Sequence, residues 1–157
     1  MDQADPESFE QYSTSCLSRL PAGSEHWRGS APLVRLPSNR RLALGTVHQR
    51  GYTKDGVFFD AYRHRFVLID LDSTTMVAYT DEFAIFASID QVDWFEFLTG
   101  FTLYKEKEVL LSFGYNDQEP WLAIIPLDGI LQWLIPVEPK WESLVDQVRA
   151  GGRDGAS

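Results

Sequence analysis

Glu108-Val109-Leu110-Leu111-Ser112-Phe113-Gly114-Tyr115-Asn116-Asp117-Gln118-Glu119-Pro120-Trp121-Leu122-Ala123-Ile124-Ile125-Pro126-Leu127 is the stretch that decides the fold class. Two runs rich in Val, Leu, Ile, Phe, Tyr and Trp, Glu108 to Tyr115 and Trp121 to Leu127, flank the polar break Asn116-Asp117-Gln118. Such residues fit a pleated, half-buried surface. Asn and Asp tolerate left-handed backbone and hydrogen-bond their own chain, so the break reads as a hairpin turn. An antiparallel strand pair follows.

Working outward, the same grammar recurs. Upstream, Trp94 to Tyr104 precedes the turn Lys105-Glu106-Lys107; downstream, Ile130 to Ile135 reads as a fourth strand of the group. An earlier group comprises Leu33 to Leu36, Arg41 to Gln49, Phe58 to Asp70 and Met76 to Tyr79. Pro37-Ser38-Asn39, Lys54-Asp55-Gly56 and Asp72-Ser73-Thr74 separate its members. The expected fold class is all-β, two consecutive antiparallel four-stranded meanders with a short C-terminal helix. Propeller blades, with a repeat of roughly 40 to 50 residues, fit this spacing. A β-sandwich of seven or eight strands fits it equally.

The ends read differently. Residues 1–25 carry five acids and one base and read as an acidic arm or as a short helix over Glu7 to Leu20. Trp141, Leu144, Val145 and Val148 fall at helical spacing within Lys140 to Ala150, with Gly151-Gly152 as the expected stop and a disordered tail beyond. The expected division is therefore 1–25, a β domain over 26–137, and 138–157.

Composition narrows the class. The chain has 157 residues and a net charge of −9, which argues against a general binder of nucleic acid or of anionic membranes. One cysteine, Cys16, excludes an internal disulfide framework and a Cys-rich zinc site. His26, His48 and His64 lack short metal spacing, so no metal site and no cofactor are expected. Met1 to Glu7 has neither a basic nor an apolar leader character, and Pro120 to Val137 holds Asp128 and three prolines, a poor bilayer span. A cytoplasmic location is the expectation. Charge is uneven: His26 to Ile69 has eight bases and two acids, whereas Asp70 to Val137 has two bases and 12 acids. Two sheets with complementary rims would produce this; so would a basic cleft wall that meets a phosphate or carboxylate.

Three stretches, in order, carry a resemblance: Trp27-Arg28-Gly29-Ser30 with Leu42-Ala43-Leu44-Gly45-Thr46-Val47-His48; Tyr62-Arg63-His64-Arg65-Phe66; and Phe95-Glu96-Phe97-Leu98-Thr99-Gly100-Phe101 leading to Ser112-Phe113-Gly114-Tyr115-Asn116-Asp117-Gln118-Glu119-Pro120-Trp121-Leu122. Together they resemble the C-terminal half of bacterial five-bladed β-propeller proteins of the glycoside hydrolase and phosphorylase type, which are often annotated with or fused to glycosyltransferases. The chain departs from that pattern at Gln49, where a Glu is usual, at Leu98-Thr99 in place of Cys-Ala, and at Pro120 in place of Ala. It holds about two blades of the five, so a second copy or a partner chain would have to complete a propeller cavity. The resemblance implies a carbohydrate-active fragment that binds a sugar or sugar phosphate. The alternative is a non-catalytic glycan-binding or assembly module, and whether the chain is an enzyme stays open.

The residues offer candidates for either case. Glycosidic cleavage needs two carboxyl groups flanking the sugar. Glu96 is the first, since simple alternation places it with Leu98, Gly100, Thr102 and Tyr104, opposite Phe95, Phe97, Phe101 and Leu103; the other reading is a strand-end charge that faces water or an Arg. Glu119 is the second, beside Trp121, because a carboxylate next to an exposed Trp suits a sugar stacked on the ring; a core Trp121 is the other reading. Asp60, Tyr62 and His64 share a strand face, with Arg63 and Arg65 opposite, and His64 reads either as a structural histidine or as a ligand-binding one. Arg28, His48, Tyr62, His64, Arg65, Asn116, Asp117 and Trp121 complete the expected substrate-binding set through the resemblance, although turn geometry alone also explains Asn116 and Asp117. No phosphate loop, nucleophile elbow or Ser-His-Asp arrangement is visible.

Overall fold

The computed structural model describes residues 27–52, 58–86 and 95–153. Nine strands are described: β1 (Arg28–Gly29), β2 (Val34–Arg35), β3 (Leu42–Tyr52), β4 (Phe58–Asp70), β5 (Thr75–Tyr79), β6 (Glu96–Tyr104), β7 (Glu108–Tyr115), β8 (Glu119–Pro126) and β9 (Ile135–Pro136). Helix α1 (Leu127–Trp133) lies between β8 and β9, and a 3-10 turn (Pro139–Trp141) leads into α2 (Glu142–Arg153). The fold is all-β with a short C-terminal helix. Every pairing is antiparallel. The first sheet has the order β1-β3-β4-β5-β9, with β2 also on β3, and the second has the order β6-β7-β8.

The two meanders are therefore not both four-stranded. The run expected as a strand over Ile130 to Ile135 is mostly helix. Leu127, Ile130, Leu131 and Leu134 are all buried, and that i, i+3, i+4, i+7 stripe closes the core from one side. A short apolar run does not distinguish strand from helix by itself; the deciding residue, Leu127, lies at the end of the preceding strand reading. After the helix, β9 returns to the first sheet, pairing Ile135 with Tyr79 and Pro136 with Ala78. Pro136 fits there because the sheet ends with its strand.

Long register in the β3–β4 hairpin, from Leu42↔Asp70 to Arg50↔Tyr62, puts Leu42, Leu44, Thr46 and His48 on one face with Tyr62, His64, Phe66 and Leu68. This face meets the second sheet. Leu42, Leu44, Phe66 and Leu68 share one core with Leu98, Phe101, Val109, Leu111 and Phe113. Val145 and Val148 of α2 belong to the same core, so that helix is an integral part of the β domain. Helix α2 also runs through Gly151 and Gly152 rather than stopping there. Glycine weakens a helix but ends it only when the backbone turns left-handed, and a Cβ at Gly151 would meet Ser38 at ordinary contact distance.

Two one-residue irregularities set which side chains face inward. Leu68 pairs with Ala78 and Ile69 with Met76, so Val77 is unmatched, and sequence neighbours Val77 and Ala78 both enter the main core. In β6, Leu98 pairs with Phe113 but Gly100 with Ser112, which leaves Thr99 as the extra residue. The alternation resets there. Glu96 and Leu98 are buried before the bulge and Phe101 after it, while Thr102 and Tyr104 are exposed, so the single alternation expected along this strand holds only up to Leu98. The outer face of the first sheet carries a smaller cluster, Trp27, Val47, Val67 and Met76, with Ile69, Tyr79 and Val137 packed on it.

Candidate functional site

The candidate residues fall into two groups on opposite sides of the first half of β6, with one outlier. The first group occupies the inner face of the first sheet. Arg28 is opposite His48, and His48 is opposite His64. The His48 ring lies 5.2 Å from Tyr62 and 5.3 Å from Phe97, and Tyr62 packs edge-on against Phe95 at 4.6 Å. Arg28, His48, Tyr62 and His64 thus lie on adjoining strands of this sheet. The Asp60 side chain lies outside the described residues.

What holds this group is the edge of β6. Among the described strands it pairs with β7 alone, so the carbonyls on its other side need donors. Ser30 gives its hydroxyl proton to Leu98 O at 3.1 Å, and His64 Nε2–H donates to Glu96 O at 3.1 Å. Because the Ser30 proton is committed, His48 Nδ1, 3.0 Å from Ser30 Oγ, must carry a hydrogen and donate it. Each imidazole therefore donates from the nitrogen that faces its partner, His48 from Nδ1 and His64 from Nε2. Burial pushes the His48 pKa down, with the Arg28 charge assisting. His64 is fully buried, and desolvation takes its pKa from 6.5 to about 4. Its Nδ1 has no hydrogen-bond partner among the described residues.

Glu96 faces the other side. It is fully buried, and each carboxylate oxygen accepts a backbone N–H at 2.7 Å, Oε2 from Ile85 and Oε1 from Phe86. Phe83, in the same segment, exchanges two backbone hydrogen bonds with His64. Residues 83–86 are thereby stitched down at both ends, and Phe86 is set on an aromatic group made by the β7–β8 hairpin. Its ring lies 5.3 Å from Phe113, 5.7 Å from Tyr115 and 5.0 Å from Trp121, nearly perpendicular to the last two.

Asn116 and Asp117 both have left-handed backbone, φ 51° and 53°, as the turn reading requires. Asn116 is also a clasp: its backbone N–H donates to Phe95 O at 2.7 Å and its side-chain Oδ1 accepts from Phe95 N at 3.0 Å. Beyond the turn, Trp121 is 44% exposed rather than a core residue, and its Nε1–H donates to Glu119 Oε2 at 3.0 Å. The indole is held by its own strand neighbour, and Phe86 stands beside it.

Arg65 is the outlier. It lies on the outer face of the first sheet, its guanidinium 4.9 Å from the Trp27 ring and 5.1 Å from the Tyr79 ring, and it pairs with Glu82 at 3.1 Å. Strand parity puts it on the far side of the sheet from Tyr62 and His64, so it is no part of either group. Phe86, Phe95, Phe97 and Ser30 were not singled out from the sequence. Phe95 and Phe97 flank Glu96 and carried a signal; Phe86 sits in Glu82-Phe83-Ala84-Ile85-Phe86, which has no strand or helix period.

A recess of about 310 Å³ between α1 and α2 is lined by Gln132, Asp146, Arg149 and Ala150, but Arg149 is already bonded to Asp146 and Leu134 O. Among the described residues, no group of three or more His, Cys, Asp and Glu is placed to hold a metal ion, and no helix is long and apolar enough to cross a membrane. Comparison with family models, with curated proteins and with solved structures finds no match.

Proposed function

We propose that this chain is a non-catalytic carbohydrate-binding module whose platform is Trp121, braced by Glu119 and walled by Phe86. The observation that carries this reading is the half-exposed indole with its N–H fixed on a carboxylate. A pyranose presents an apolar C–H face that stacks on such a ring, and an exposed carboxylate accepts hydroxyl protons at its rim. The resemblance of the 112–122 stretch to carbohydrate-active propellers points to the same ligand class.

Binding without cleavage is the better reading because of Glu96. A general acid must present a carboxyl oxygen to the glycosidic oxygen, and both oxygens of Glu96 hold backbone amides in a fully buried setting. A phosphorylated sugar fits less well, since Arg65 lies on the other face of its sheet and is paired with Glu82. The test is calorimetric titration of the purified chain with neutral gluco- and manno-oligosaccharides, followed by NMR of the sugars after long incubation. The expected result is weak saturable binding, abolished by Trp121→Ala, with no new reducing ends. Turnover lost in Glu96→Gln would overturn it.

A further inference from the structure

Resting on the carbohydrate reading, we infer that the Trp121 platform selects a hexosamine with a free, protonated amine over neutral sugars and rejects anionic ones. Glu119 is exposed on the edge strand, and only its Oε2 is engaged, by Trp121 Nε1–H. No cation and no second hydrogen-bond donor among the described residues is bonded to this carboxylate, which leaves its Oε1 without a protein partner.

The surroundings do not offset that charge. Its cross-strand partner is Tyr115, and the nearest charged residue along the hairpin is Asp117, another acid. Lys105 and Lys107 lie at the opposite end of the same strands, roughly 24 Å away for a strand of this length. Arg63 and Arg65 are directed to Glu82 on the outer face of the first sheet. An anionic sugar or sugar phosphate laid on Trp121 would thus meet a carboxylate with no compensating donor.

Geometry favours the amine over a hydroxyl. Because Nε1–H lies in the indole plane, the carboxylate it bonds sits at the rim of the ring. A pyranose stacked on the ring directs its equatorial substituents outward over that rim, so an equatorial ammonium is positioned to donate to Oε1. A charge-assisted hydrogen bond exceeds a neutral one. For an exposed pair the preference is about two- to fivefold in Kd.

The experiment is calorimetric titration of the full chain, at slightly acid pH and low salt, with three tetramers: β-1,4-glucosamine, β-1,4-glucose and α-1,4-galacturonate. The glucosamine tetramer should bind about two- to fivefold tighter than the glucose tetramer, with the preference falling in high salt, and the galacturonate tetramer should not bind. Glu119→Gln, which can still accept from the indole N–H, should bring the two Kd values together. Glu106→Gln, exposed at the far hairpin, should preserve the difference. Equal affinities in the native chain overturn the inference, as does a preference that survives Glu119→Gln or vanishes equally in Glu106→Gln, which would trace it to net charge. Absence of binding to all three tetramers overturns the carbohydrate reading itself.

Discussion

The two groups flanking β6 are built from similar materials and end in opposite conditions. Around His48 and His64, aromatic rings and titratable groups close on one another, and the bonds made stay inside the protein: Ser30 with Leu98 O and His48, His64 Nε2 with Glu96 O, while His64 Nδ1 is buried without a partner among the described residues. Around Trp121, aromatic rings gather in the same way, yet a carboxylate oxygen and half of an indole remain in solvent. Residue type does not separate the two. What separates them is the destination of each hydrogen bond, since a buried polar group must be satisfied by the protein, whereas an exposed one can exchange water for ligand.

The contrast is broken most severely at Glu96. Glu96→Ala leaves the amides of Ile85 and Phe86 without acceptors and opens a cavity in a fully buried position, so unfolding in urea should show a loss of about 4 kcal/mol. Glu96→Gln keeps the volume and one good acceptor and should lose about 2 kcal/mol. A variant as stable as the native chain would mean that the carboxylate is not the clasp for residues 83–86.

His64 gives the next effect, through pH. Its folded pKa lies below its unfolded value, so between the two the unfolded chain binds more protons, and stability rises with pH. The contribution is complete above about pH 6.5 and is lost as pH falls towards 4, in total about 3 kcal/mol. His48, shifted in the same direction, adds to the slope. Stability measured across this window should flatten in His64→Gln. An unchanged slope would show that other groups carry it.

Asp70 provides a smaller effect in a separate window. It is buried, accepts from Arg41 Nε at 2.9 Å and from Asp72 N at 3.0 Å, and the Arg41 hydrogen bond is the main reason its pKa drops to about 2. Stability from this group is present above the usual carboxylate pKa and is lost as pH falls from about 4 towards 2, below the His64 window. Since Arg41 is half exposed, Asp70→Asn should cost only about 1 kcal/mol near neutral pH. Chemical denaturation of the variant at neutral and acid pH checks both size and window.

Much of this arrangement was legible in the sequence. Strand runs and the Asn116-Asp117-Gln118 turn follow from residue type, and Tyr62 with His64 follows from parity. Parity fails at Thr99, where one inserted residue reverses the facing of everything after it, and Gly100, a residue that often marks a bulge inside a strand, is the one local sign of it. The role of Glu96 was hidden for another reason: its donors are backbone amides of a segment without periodicity, and backbone groups leave no trace in composition. The Glu119–Trp121 pair was readable because both partners lie on one strand face two residues apart, where pleating fixes their proximity.

The smallest expected effect on stability is also the sharpest test of the comparison. Trp121 sits on an edge strand between Pro120 and Leu122, nearly half in solvent, and its one hydrogen bond goes to an exposed carboxylate. Removing it uncovers part of Phe86 and Phe113 but leaves no buried donor unsatisfied, so Trp121→Ala should lose about 1 kcal/mol or less in urea unfolding. Glu96→Ala, on the same face of the sheet, should lose several times more. If Trp121→Ala instead destabilises the chain as much as Glu96→Ala, the indole is structural. The two sides of β6 would then both be scaffold, and ligand binding would have to be sought elsewhere on the molecule.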